Sequence, residues 1–237
     1  MLANAGHHWA IQLGLWPQSL DFLNTIHLNT LIMTWAGMAL ILLFAFLFTR
    51  KLALYPSNFQ VVGESIFDLC RSITTSTGGK KGDTFLFYIG SLFVFILVAN
   101  LMGQLPLRLI PLPQGELIAA TGDFNVPAAL AVFTVMMYFY FGIKKKGLSY
   151  FKHYIQPFPV FLPFNILEDF TRPFSLMLRL YANILVGELL AGIMLGAAPY
   201  VAPSMVICLE LFVAIIQAYI FAVLSSVYIA LLSAEDH

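Results

Sequence analysis

Ionisable side chains lie inside two of the most apolar stretches of the chain, 162–195 and 202–233. They are Glu168, Asp169, Arg172, Arg179 and Glu188 in the first stretch and Glu210 in the second. A carboxylate in a low-dielectric site can exchange protons near neutral pH, whereas an arginine stays protonated and cannot relay a proton. An arginine near the middle of a membrane costs from about 3 to more than 10 kcal/mol unless it meets water or a counter-charge. Arg179 is therefore a candidate functional residue, and the chemistry indicated is proton transfer past a fixed positive charge.

Helical spacing would place these residues on two faces of the first stretch. At about 100° per residue, one face carries Glu168, Arg172, Ser175, Arg179 and Asn183. Glu188, nine residues beyond Arg179, falls on the opposite face. In the second stretch Gln217 follows Glu210 by seven residues and lies on nearly the same side.

Helix packing is the alternative interpretation of the same residues. Arg179 could pair with Glu188 or with Glu210 and so join two helices. Glu188 faces away from Arg179 on an ideal helix, which makes an internal pair awkward, whereas Glu210 belongs to the neighbouring helix. Asn183 and Gln217 are equally well explained as residues that hydrogen-bond between helices. The sequence leaves these alternatives open.

The composition defines the class of protein that must position these residues. Apolar residues make up 60% of the 237 residues, charged residues 10%, and the mean hydropathy is +0.86, which indicates one integral membrane domain, 1–237. A formal net charge of +0 argues against a nucleic-acid partner. The two cysteines have no metal-binding or disulfide spacing, and no cofactor or metal is expected.

The apolar runs predict an all-α integral membrane protein with about five membrane helices, the last two long and strongly tilted, plus a short surface helix. Its predicted parts are an outside amino-terminal segment 1–27, spans 28–49, 84–104 and 126–143, and long helices 162–195 and 202–233. The surface helix falls in SNFQVVGESIFDLCRSI, and the TGGKKGD that follows is predicted to form a turn. The stretch 162–195 would be about 50 Å long against a hydrocarbon layer of about 30 Å, so it must tilt, kink at Pro173 or begin outside the bilayer.

The basic residues predict the orientation. Nine of the twelve lie between the first two spans or between the third and fourth, and the positive-inside rule places those loops inside. The amino terminus is then outside and the carboxyl terminus inside. Near the outer ends of the spans, Asp123 is either a helix cap or a proton-accessible carboxylate at the mouth of a path. Asn100 and Gln104 either line a polar inlet or mark an interfacial helix end.

Several motifs carry a resemblance to a known family. They are Arg179-Leu180-Tyr181-Ala182-Asn183, then Gly187-Glu188-Leu189, the preceding NILEDFTRPFSL, and Gln217-Ala218-Tyr219-Ile220-Phe221. In this order, and with GDFNV at Asp123, they resemble subunit a of the F-type ATP synthase over nearly the whole chain. Ala182 stands where a glycine is common, and Glu210 where other bacterial members carry histidine or another residue. The second departure makes the outer path rich in carboxylates.

The resemblance implies a proton-translocating stator without catalytic chemistry of its own. It implies that Arg179 faces the essential carboxylate of a rotating c-ring, supported by Arg172 and Ser175 on the same stripe. The implied outside half-channel consists of Asp123, Asn183, Glu188, Glu210 and Gln217, and the inside half-channel is bordered by Glu168 and Asp169. The implied partners are the c-ring, b-type peripheral stalk subunits, other ATP synthase subunits and the lipid bilayer. The membrane would be a bacterial plasma (inner) membrane, with a thylakoid as the alternative, and the coupling ion is either proton or sodium.

A self-contained cation or proton-coupled transporter, in which Arg179 binds an anionic substrate, is the rival interpretation. The two halves of the chain show no inverted repeat and no paired broken helices, which disfavours it. A membrane enzyme is weaker still, because HExxH and GxSxG motifs and clustered histidine ligands are absent from the sequence.

Overall fold

The computed structural model describes residues 10–12, 25–50, 58–104, 120–146, 162–197 and 201–233. Within them, the six α-helices are α1 (Leu28–Thr49), α2 (Asn58–Gly78), α3 (Leu86–Gln104), α4 (Asn125–Lys146), α5 (Leu162–Ala197) and α6 (Val201–Ser233). Two three-residue strands, β1 (Ala10–Gln12) and β2 (Thr25–His27), pair antiparallel just before α1. The sequence did not predict this small ribbon.

Five of the described helices, α1 and α3 to α6, are long and apolar enough to cross a membrane. A helix satisfies its backbone hydrogen bonds internally, and so an apolar helix of this length can lie in hydrocarbon. The all-α membrane fold predicted from the sequence is thereby confirmed. The tilt predicted for the last two helices, and the single-domain organisation, stay predictions.

The surface helix α2 is longer than predicted. Thr77 and Gly78, assigned to the predicted turn, belong to the end of α2, where the hydroxyl of Thr77 also donates to the carbonyl of Ile73 at 2.9 Å. Gly79 then adopts a φ of +57°, a conformation that glycine enters without steric cost and that commonly ends a helix. A 3-10 helix, Gly79–Thr84, leads on to α3.

The core lies where α3 packs against α6. Both helices bury an entire face, and the buried face of α6 carries small residues four apart, namely Ala214, Ala218, Ala222 and Ser226. Small residues at this spacing let two helices approach closely in a membrane, where packing rather than water exclusion drives association. The last helix also contacts α2, α4 and α5, so that most of the bundle is built around it.

The long helix α5 continues through Pro173 as one α-helix. Its 36 residues give a length of about 54 Å at about 1.5 Å per residue. It packs against α4 on one side and α6 on the other. The residues of the RLYAN motif are therefore held between two apolar membrane helices.

Candidate functional site

The described polar residues of α5 border its buried face. That face consists of Leu176, Leu180 and Ile184, which are 1% to 4% exposed. Each is preceded by one polar residue of the predicted stripe, and these are Ser175, Arg179 and Asn183. Ser175 is exposed, and the other two are half-buried. The three thus form a row along the edge of the contact between α5 and its neighbours, open on one side.

Arg179 forms no hydrogen bond or ion pair with any side chain that the structure describes. Among the described residues, an ion pair does form between Arg71 Nε and Asp83 Oδ1, at 3.8 Å on the surface, and it does not involve Arg179. The guanidinium cannot shed its charge at any physiological pH, and a membrane does not solvate it. A half-buried arginine without a counter-charge among the described side chains indicates a partner group outside them, or water.

Glu210 of α6 lies against Gly187 of α5. A Cβ atom at position 187 would come 2.7 Å from Glu210 Cδ, which is closer than real Cβ contacts, so the absence of a side chain makes room for the carboxylate. Gly187 is eight residues, or about 12 Å, along the helix from Arg179. A packing pair between Arg179 and Glu210, which the sequence left open, does not form. Gln217, two turns further along α6, is half-buried.

Both carboxylate oxygens of Asp123 accept hydrogen bonds. Its Oδ1 accepts from the backbone N–H and the side-chain Nδ2 of Asn125, at 3.1 and 3.0 Å, and so caps the start of α4. Its Oδ2 accepts from the hydroxyl of Thr30 on α1 at 3.0 Å. Next to it, the ring of Phe124 packs edge-on against that of Tyr181, with centroids 5.7 Å apart. The cap is thus present, and the residue after Asp123 contacts α5 at Tyr181, two positions beyond Arg179.

A buried polar contact escaped the sequence analysis. Asn100 of α3 and Thr121, in the 3-10 turn before Asp123, are both fully buried, and the Thr121 hydroxyl donates to Asn100 Oδ1 at 3.0 Å. Asn100 Nδ2 has no partner among the described atoms. The amide in an apolar span was a visible signal, but nothing in the sequence pointed to a threonine 21 residues away as its partner.

Four predicted site residues, Glu168, Asp169, Arg172 and Glu188, have side chains that lie outside the described part of the structure. Their roles stay predictions. Among the residues that were searched, no group of histidine, cysteine, aspartate and glutamate side chains is arranged to hold a metal ion.

Comparison with known families decides the class of this membrane protein. A family model described as ATP synthase A chain matches residues 31–230. The chain belongs to this family. The resemblance noted in the RLYAN and GEL motifs is therefore confirmed.

Membership of the ATP synthase A chain family identifies the assembly in which the candidate site lies. The chain is a subunit of the membrane sector of the F-type ATP synthase, a multi-pass membrane protein that assembles with other subunits of that enzyme. The matched region includes Arg179, Glu210, Gln217 and Asp123. It also includes Asn100, Thr121 and Gly187, which the structure adds to the candidate site.

Proposed function

We propose that the chain is the proton-translocating stator of the ATP synthase membrane sector, with two offset half-channels that meet a rotating c-ring at Arg179. The observation that carries the proposal is the half-exposed guanidinium of Arg179, which no described side chain of its own subunit neutralises. A carboxylate on a neighbouring ring would supply the counter-charge. Arg172 and Ser175 would extend the same polar row along the ring.

The order of charges along α5 supports two separate paths. Glu168 and Asp169 precede Arg179 by about 15 Å of helix, and Glu188 follows it by about 14 Å. Asp123 reaches α5 through the contact between Phe124 and Tyr181. Glu210 reaches it at Gly187. In the proposed orientation, the acidic residues before Arg179 border the inside half-channel.

The outside half-channel would then consist of the polar residues on the other side of Arg179. They are Asp123, Asn183, Glu188, Glu210 and Gln217. A proton entering here neutralises a ring carboxylate, and the neutral site can rotate into lipid, where a charged one would be prohibitively unfavourable. After nearly a full turn the site ionises into the inside half-channel.

Arg179 has two tasks in this cycle. It stabilises the bare carboxylate as that group passes from one half-channel to the other. It also repels protons, so the two half-channels do not form a continuous leak. Each proton that crosses yields about 2.3 kcal/mol per 100 mV of membrane potential, and several are needed for one ATP. The subunit itself would transfer protons and catalyse no other reaction.

The placement in the cell is part of the proposal. The basic loops would face the inside of a bacterial plasma membrane, with the amino terminus outside and the carboxyl terminus inside. The c-ring would lie along α5 and α6, and b-type peripheral stalk subunits would contact the bundle elsewhere.

Proton-driven ATP synthesis in sealed vesicles that contain the assembled complex tests the proposal. We expect Arg179→Ala to abolish synthesis and to raise the passive proton leak, because both the counter-charge and the barrier are removed. Leu185→Ala, an exposed apolar position on the same helix, serves as the control and should leave both rates unchanged. Synthesis near the wild-type rate in the Arg179→Ala complex would refute the stator role of this residue.

A further inference from the structure

The hydroxyl of Thr30 makes its hydrogen bond outside its own helix. Thr30 lies in the first turn of α1, and four residues before it the chain is still in strand β2, so α1 offers it no carbonyl one turn back. Thr34, one turn later, does donate within the helix, to the carbonyl of Thr30 at 2.7 Å. Thr30 donates instead to Oδ2 of Asp123 at 3.0 Å. This bond joins the start of α1 to the acidic residue that caps α4.

The two carboxylate oxygens of Asp123 differ in their capacity to take up a proton. Oδ1 accepts from both the backbone N–H and the side-chain Nδ2 of Asn125, which occupies both of its lone pairs at the positive end of α4. Among the described residues, Oδ2 accepts from Thr30 alone, so one of its lone pairs is left over. A proton can therefore bind to Oδ2 without disturbing the cap, whereas at Oδ1 it would displace a donor.

The partner of Oδ2 suits an oxygen that alternates between two protonation states. A threonine hydroxyl has one donor and two acceptor lone pairs, whereas the two N–H groups of Asn125 that bind Oδ1 can only donate. The hydroxyl of Thr30 thus donates to the ionised carboxylate and can accept from the O–H group that forms when Oδ2 is protonated. Thr30 and Asp123 are both half-buried rather than enclosed.

We infer that Thr30 is a positioning residue for proton uptake and holds Oδ2 of Asp123 as the oxygen that takes and releases the proton, which rests on the proposed place of Asp123 in the outside half-channel. A proton from the outside forms an O–H bond at Oδ2 and neutralises the carboxylate. When the proton passes on toward the c-ring, that bond breaks and the carboxylate is ionised again. Thr30 donates to Oδ2 before and after this exchange and accepts from it in between.

Substitutions at position 30 test this role in sealed vesicles, with proton-driven ATP synthesis measured per assembled complex. We expect Thr30→Val, which keeps the shape of the side chain, to lower the rate about fivefold, the effect of losing one hydrogen bond. Thr30→Ser keeps the hydroxyl and should retain most of the rate. Thr34→Val is the matched control, because it removes a threonine hydroxyl whose bond lies within α1, and it should leave the rate unchanged.

A double-mutant cycle with Asp123→Asn separates positioning from a structural link between α1 and α4. In the Asp123→Asn complex, Thr30→Val should cause no further loss, because the amide takes up no proton. An equal loss in both backgrounds, or a wild-type rate in Thr30→Val alone, would overturn the positioning role. Arg179→Ala in the same vesicles tests the proposed function separately. If Arg179→Ala is inactive while Thr30→Val is fully active, the role of Thr30 fails and the stator does not.

Discussion

At the scale of single residues, Asp123 makes two structural contacts with one carboxylate. It caps α4 through Asn125, and it accepts a hydrogen bond from Thr30 on α1. The ring of the next residue, Phe124, packs on Tyr181 of α5. The structure shows the capping role. The proposed role in proton uptake can be separated from it by substitution.

Asp123→Asn separates them, because asparagine caps helices as well as aspartate does but does not titrate. We predict that the complex assembles normally and that proton-driven ATP synthesis falls by about tenfold or more, as expected when a proton-transfer group is lost. Thr30→Val, which removes one hydrogen bond worth about 1 kcal/mol and keeps the carboxylate, is the comparison. If Asp123→Asn supports wild-type synthesis, Asp123 is a cap and nothing more.

Gly187→Ala tests the contact between Glu210 and α5. The new Cβ would lie 2.7 Å from Glu210 Cδ, so the carboxylate must move. We predict a several-fold loss of proton-driven synthesis in a complex that still assembles, because the side chain of Glu210 can shift without unfolding the helices. Gly192→Ala is a matched control on the same helix, since a Cβ there meets nothing within 4 Å. Equal rates in the two variants would mean that the position of Glu210 is unimportant.

At the scale of elements, the membrane helices were predictable and the contacts between them were not. Uncharged runs of about twenty residues are a strong signal, since each must be long enough to cross the hydrocarbon layer. The stripe of Ala214, Ala218, Ala222 and Ser226 is also visible in the sequence, but its partner helix α3 is not. Nor did the apolar periodicity show the pairing of Asn100 with Thr121, because a turn outside the span supplies the second residue.

Ala218→Leu tests the close packing of α6. The position is fully buried, so the larger side chain must push the helices apart, at a cost of about 1–3 kcal/mol. We predict a lower thermal midpoint and a lower yield of the assembled complex. Ala129→Leu, on an exposed part of α4, should change neither quantity. Similar losses in both variants would indicate that the size of the residue matters regardless of its place.

At the scale of the whole molecule, the subunit presents large apolar surfaces on α5 and α6. Exposed side chains there include Phe174, Leu178, Leu189, Ile193, Leu209 and Phe212. Lipid can cover such faces, but it does not solvate a charged group such as Arg179 in the row of Ser175, Arg179 and Asn183 beside them. The combination of apolar faces and a polar row supports the proposed contact with a rotor.

Co-purification tests the proposed contact with the c-ring. We predict that the affinity-tagged subunit, extracted in mild detergent, brings a c-ring with it in stoichiometric amount. Arg179→Ala should leave this association in place, because the apolar faces remain. Recovery of the wild-type subunit without a c-ring, under conditions in which the catalytic sector stays assembled, would count against the proposed rotor interface.

The family and the central arginine were both accessible from the sequence, because a charge inside an apolar run has few explanations. The surroundings of Arg179 were not. Its freedom from Glu210 depends on where Gly187 places that carboxylate, and this follows from the register of α5 against α6. The register of two helices depends on how both surfaces pack, so it cannot be predicted from the sequence of either helix alone.

The hydrogen bond between Thr77 and Ser226 joins α2 to the last helix across 149 residues of chain. A ribosome that adds about 5–20 residues per second delivers the second partner roughly 7–30 s after the first. During that interval α2 has to wait at the membrane surface without its anchor, and α3 without the stripe that completes the core. The bundle is therefore expected to become resistant to proteolysis in a single late step of biogenesis, when α6 leaves the insertion machinery.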